Sequence, residues 1–209
     1  MKRVIMMFSA VVLIVLTTAG CEEDEVESLS TNSPAADRVR VGDLTFTLQI
    51  LNMQDEPQAL FEEGENFQFQ FVIENRADSA YTLPVYWDFP GFNEEFFRLY
   101  RKTQESGGKA NLGKSFRIGG NFFDAQPAWV PAQGASVYTI PWLTDKDSVY
   151  VMPQYLDPKD KLGDAILDRR YVAAEDSPAP LRTGTYFTGF TVSYTESDSV
   201  RLETSFKIE

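Results

Sequence analysis

Covalent chemistry has few residues to work with in this chain. There is no histidine, and the only cysteine is Cys21. A Ser-His-Asp or Cys-His triad is therefore ruled out, as is a zinc site of the usual ligands. No Gly-x-Ser-x-Gly elbow occurs either. Gly108-Lys109-Ala110-Asn111-Leu112-Gly113-Lys114-Ser115 satisfies the pattern GxxxxGK[ST], in which backbone donors cradle phosphates at the start of a helix. The following Phe116-Arg117-Ile118-Gly119-Gly120 cannot sustain that helix. The stretch from Gln104 to Ser115 reads instead as a glycine-rich loop with solvated lysines, and no nucleotide is expected.

Carboxylates are plentiful, with 31 Asp and Glu. Two of them at a suitable separation would be enough for acid/base hydrolysis of a glycoside, but spacing nominates no pair. Asp157, Asp160, Asp164 and Asp168, with Asp145 and Asp147 nearby, would be candidates for calcium. The spacing of an EF-hand fails, because the third and fifth positions counted from Asp157 are Lys159 and Lys161. Helix capping and solubility account for these acids, and no metal or cofactor is expected. Trp87, Phe89, Phe92, Trp129 and Tyr155 lie in or beside the less regular segments. Outside a sheet such rings would stack on a sugar or anchor a protein partner; inside, they would be core.

The net charge is −12, and more negative still without Lys2 and Arg3. Such a surface repels phosphate backbones and anionic bilayers, so neither nucleic-acid binding nor charge-driven membrane adhesion is expected. Membrane attachment has a different source. Lys2 and Arg3 precede the apolar run Val4 to Leu16, which is shorter than the roughly 20 residues a helix needs to cross a bilayer, and small residues follow. That is signal-peptide architecture. Leu16-Thr17-Thr18-Ala19-Gly20-Cys21 resembles the lipobox of bacterial lipoproteins, which implies cleavage after residue 20 and a lipid on Cys21. The acids that follow, Glu22, Glu23, Asp24 and Glu25, resemble the sorting signal of Bacteroidetes lipoproteins. That likeness implies the outer face of the outer membrane, the alternative being a periplasm-facing protein with a merely acidic linker. Asp78-Ser79-Ala80, Asp147-Ser148-Val149 and Asp198-Ser199-Val200 resemble the short O-glycosylation sequon of envelope proteins from the same bacteria. Asp-Ser also simply makes good turns.

Residues 21–40 are polar and lack aromatics, which predicts a solvated tether. From Val41 the period becomes two. Leu44, Phe46, Leu48 and Ile50 share one strand face, as do Phe67, Phe69, Phe71 and Ile73. Tyr81 to Trp87, with Pro84 within it, predicts an edge strand or a bulge. Phe96 to Arg101, Ala135 to Trp142 and Val149 to Met152 predict further strands. Asp157-Pro158-Lys159-Asp160 is a helix-start signal, and Leu162, Ala165, Ile166 and Arg169 fall at helical spacing, which predicts one short helix. Tyr186, Thr188, Phe190, Val192 and Tyr194, then the turn Thr195 to Asp198, then Val200, Leu202, Phe206 and Ile208 predict a terminal hairpin.

Leu181 to Tyr186 resembles the tyrosine-corner approach to the penultimate strand of immunoglobulin-like sandwiches. The fold expected is all-β, an Ig-like two-sheet antiparallel sandwich of about seven to nine strands over residues 41–209. Ile73-Glu74-Asn75, the strand Phe96 to Tyr100, the Gly134 strand to Trp142, and Gly184-Thr185-Tyr186 together resemble the BsuPI-type proteinase inhibitor domain. That likeness implies an inhibitor presenting Gln104 to Ser115 or Asp88 to Glu95. The function expected is a membrane-anchored envelope lipoprotein, not an enzyme, acting as a binding or structural module for an envelope protein or glycan. The inhibitor and a glycan-binding surface lipoprotein are the alternatives.

Overall fold

The computed structural model describes residues 26–28, 35–83, 95–103, 107–114, 116–119, 129–142, 149–155, 166–173 and 180–209. In chain order the strands are β1 (Val26–Ser28), β2 (Ala36–Val41), β3 (Leu44–Leu51), β4 (Leu60–Phe61) and β5 (Phe67–Asn75). Next come β6 (Tyr81–Thr82), β7 (Leu99–Lys102), β8 (Lys109–Gly113), β9 (Phe116–Gly119) and β10 (Trp129–Val130). The last are β11 (Gly134–Trp142), β12 (Val149–Tyr155), β13 (Ile166–Ala173), β14 (Gly184–Ser193) and β15 (Ser199–Ile208). The fold is all-β, and there is no helix among the described residues.

Two five-stranded sheets form the sandwich. One has the order β1-β2-β3-β5-β11 and the other β4-β15-β14-β7-β8. Every pairing in them is antiparallel except that of β4, which runs parallel to the end of β15 through Lys207↔Leu60 and Ile208↔Phe61. Strands β6 and β10 form a two-stranded pair, and β12-β13-β9 a third sheet. The alternation read from sequence sets the register: Phe46 lies opposite Ile73, Leu48 opposite Phe71 and Ile50 opposite Phe69. A slip of one residue would turn every one of these rings to solvent.

Aromatic rings from both sheets meet in the core. Phe71 and Phe190 approach edge to face at 5.1 Å, and Phe67 and Phe206 meet at a tilt of 55° with centroids 4.7 Å apart. Phe67 also stacks on Trp142 at 5.9 Å. All five are essentially inaccessible to water. Each such side chain stabilises the fold by about 1.5–3 kcal/mol through burial alone, which suits a chain that has no second cysteine for a disulfide.

Several expectations need correction. The sheet begins before residue 41: β2 pairs with β3 from Ala36↔Gln49 to Val41↔Leu44, and β1 pairs with β2 in turn. The charges of Asp37, Arg38 and Arg40 make this strand look like tether, yet Ala35, Val39 and Val41 are buried. The predicted helix does not extend to Arg169. Ile166 and Arg169 belong to β13, paired with β12 through Tyr155↔Ile166 and Met152↔Arg169. A run of Ile, Leu, Tyr and Val with a partner strand prevails over local helical spacing, and residues 157–165 lie outside the described residues.

The strand expected from Phe96 starts at Leu99, after a turn in which Phe97 has φ of +53°. Phe96 and Phe97 are buried all the same. Of Tyr81 to Trp87 only Tyr81–Thr82 is strand within the described residues. The loop expected over Gln104 to Ser115 contains β8, an edge strand with an exposed lysine and few apolar residues. Such composition conceals a strand from pattern reading while protecting its edge.

Candidate functional site

Two layers meet at the β7–β14 junction. On the inner side Tyr186 lies opposite Arg101. The Tyr186 hydroxyl donates to the carbonyl of Arg182 at 2.5 Å, closing the tyrosine corner. Arg101 donates through Nη2 to the carbonyl of Thr183 at 2.7 Å, and its guanidinium sits 5.9 Å from the Tyr186 ring centroid. Gly184 makes room for it, since a Cβ there would fall 2.9 Å from Arg101 Nε. Burial pushes the Tyr186 phenol above its ordinary range, an effect partly offset by the charge of Arg101 and the hydrogen bond to Arg182. These contacts fix where β7 lies against β14. They are structural.

On the outer side the next rung brings Phe187 opposite Tyr100. The two rings stack at 5.4 Å with an interplanar angle of 16°. Lys109 places Nζ 4.6 Å from the Tyr100 centroid, so the phenol ring is held between an aromatic ring and an ammonium. Tyr100 is 8% exposed as a result, while Phe187 is half-buried. Asn111 lies opposite Tyr100 on β8, and Ser205 opposite Phe187 on β15. Arg98 reaches Asn111 Oδ1 at 3.4 Å.

Beside this aromatic row runs a row of lysines. Lys102 lies directly opposite Lys109, and Lys207 lies opposite Thr185 one residue before the Tyr186–Arg101 rung. All three lysines are exposed. Among the described residues none has a carboxylate within ion-pair distance. Two unit charges about 5 Å apart in water repel by about 0.8 kcal/mol, and like charges directly opposite in a sheet are destabilising. The setting sharpens the contrast. Arg98, Arg101, Lys102, Lys109, Lys114 and Arg117 fall within twenty residues that contain one acid, Glu105, in a chain of net charge −12.

Pattern reading passed over Tyr100 and Phe187 because each interrupts the alternation of its strand. That interruption was the available signal: an aromatic residue on the polar face. Of the aromatics nominated from sequence, Trp129 is half-buried in β10, and its carbonyl accepts the Ser136 hydroxyl at 2.5 Å. Tyr155 ends β12, where only the backbone is described. Trp87, Phe89 and Phe92 lie outside the described residues, as do Cys21, Glu22, Glu23, Asp24 and Glu25. The nominated aromatics are thus not brought together into one site among the described residues.

The residues matching the phosphate-loop pattern lie in the β7–β8 hairpin, with Lys109–Gly113 as strand, and lack the turn into a helix that the pattern requires. Among the described residues no group of three or more Asp, Glu, Cys or His is placed to hold a metal ion. Ser79 is exposed at a bend, and Ser199 is exposed at the start of β15, directly after the terminal turn. Asp198, before Ser199, accepts from the hydroxyls of Thr195 at 2.7 Å and Ser197 at 3.0 Å. These bonds hold its carboxyl below the usual carboxylate range. No protein-family model matches the chain, and a search among curated proteins finds no significant relative.

Proposed function

We propose that the chain is a cell-envelope lipoprotein, anchored through a lipid on Cys21, whose β-sandwich is a non-catalytic binding module. The observation that carries this reading is the order of features ahead of the domain. Basic Lys2 and Arg3, the apolar run to Leu16, small residues and then Cys21 form the sequence in which a lipoprotein is exported, cleaved and acylated. Two or more acyl chains hold a protein firmly on a bilayer where one binds only marginally, so a diacylglyceryl cysteine needs no help from surface charge. The acids Glu22 to Glu25 favour an outer-membrane address. A sheet face carrying lysines, stacked rings and amides suits recognition, not bond breaking.

The test is fractionation of cells that express the chain or its Cys21→Ser variant. The wild type should pellet with outer membranes and require detergent for release. The variant should appear in a soluble fraction, and its continued retention in the membrane would refute the anchor.

A further inference from the structure

We propose that the outer face of the β15-β14-β7-β8 sheet binds an anionic glycan, its acidic groups on Lys102, Lys109 and Lys207 and a sugar ring against Phe187. The inference names a ligand class for the binding module proposed above. Its evidence, however, is the face itself and not the anchor.

Charge complementarity is the first argument. Lys102 and Lys109 face each other across a strand pair, and neither has a carboxylate within ion-pair distance among the described residues, while the chain as a whole is strongly acidic. A pair that repels in the free protein is relieved by an anion lying between the two ammonium groups. Lys207 stands two strands away, about 10 Å at the usual strand spacing, so the positive row is extended and suits a polymer better than a small ion.

The second argument is the neighbouring row. Tyr100 is fixed between Lys109 and Phe187, which makes it a support, and Phe187 on the same outer face is only partly buried. A rigid ring with an apolar face suits the C–H face of a sugar; Thr185 and Ser205 beside it supply hydroxyl groups for hydrogen bonding, and Asn111, beyond Tyr100 in the same row, an amide. A sheet face presents a shallow platform of side chains instead of backbone donors and acceptors. An acidic peptide would use the charges of this face but not its ring.

The test is binding of the full chain, in neutral detergent, to immobilised polygalacturonate, polyglutamate and neutral dextran. Polygalacturonate should be retained, with affinity falling as ionic strength rises, and the other two should bind distinctly less. Lys102→Glu with Lys109→Glu should weaken binding by about tenfold or more, since an anion then meets like charge. Phe187→Ala should weaken it about fivefold. Lys207→Glu gives a second charge variant on another strand should the double variant fail to fold, and Arg76→Gln, just past the end of β5 of the other sheet, should leave binding unchanged.

Cys21→Ser should bind as the wild type does, so failure of the anchor and failure of this inference are separate results. Absence of polygalacturonate binding, equal retention on polyglutamate or dextran, or folded lysine variants that bind like the wild type would each overturn the proposal.

Discussion

The carboxylate of Asp37 accepts a hydrogen bond from the backbone N–H of Glu203 at 2.8 Å, joining the first long strand of one sheet to the last strand of the other. Strand β4 covers β15 only at Lys207 and Ile208. Above that contact the outer edge of β15 would be open, and an unpaired edge N–H is both costly and an invitation to foreign strands. Asp37 closes it. The residues between the acidic cluster and Val41 therefore belong to the folded domain in part.

Truncation tests this directly. A chain beginning at Val26 keeps β1 and β2 and should unfold in one cooperative urea transition. A chain beginning at Gly42 loses Val39, Val41 and the pairing of β3 along its outer edge, and should show a far lower midpoint or no cooperative transition. Asp37→Ala in the intact chain should cost about 1 kcal/mol, the worth of one hydrogen bond.

The tyrosine corner makes a pH prediction. The folded phenol of Tyr186 is raised above its unfolded value, so the stability it contributes is complete below about pH 10 and is lost as the pH climbs through the folded pKa. Denaturation midpoints should fall on the alkaline side, and Tyr186→Phe should remove that component while costing about 1 kcal/mol at neutral pH. Asp198 acts with the opposite sign. Its carboxyl is lowered, so its contribution to the terminal turn is present above the usual carboxylate range and fades as the pH falls through its folded pKa. Asp198→Asn should leave a flatter acid limb in the same titration.

Gly189 sits in the middle of β14 opposite Glu203, where a Cβ would fall 2.6 Å from the carbonyl oxygen of Leu202. That atom is backbone in the longest ladder of the second sheet and cannot step aside without disturbing it. Gly189→Ala should destabilise the domain by about 1–3 kcal/mol despite its better strand propensity, measured as a shift in urea midpoint at constant slope.

The lysine pair predicts the reverse. Lys102→Glu exchanges repulsion with Lys109 for attraction and should raise stability by about 0.2–1 kcal/mol in the absence of ligand. The gain should shrink at high salt. A variant that is more stable yet weaker at binding polygalacturonate would identify a residue kept for recognition at some cost to the fold.

How far the sequence reveals this follows from the range of each interaction. The corner at Tyr186 is legible because Arg182 is four residues away. The sandwich is legible because Phe46, Phe69 and Phe190 sit in runs of period two, and that period alone assigns a face. Strand β2 is hidden by Arg38 and Arg40, on the sheet face turned from the core, and by Asp37, which shares the inner face with Val39 and Val41 but spends its charge on the backbone of Glu203. The helix reading fails at Ile166 because helical spacing is a local signal and the β12 partner is not. Tyr100 and Phe187 each look like a stray ring until the register of β7 on β14 stacks them, and no spacing within either strand gives that register. Cys21 and the acids after it lie outside the described residues, so the proposed lipoprotein reading rests on sequence alone.

The most direct measurement is the mass of the N-terminal peptide of the membrane-extracted protein. The account predicts a mature chain that begins at Cys21 and carries a diacylglyceryl group on its sulfur, with residues 1–20 gone. A chain that retains Met1 to Gly20, or one that begins at Cys21 with a free thiol, would contradict it.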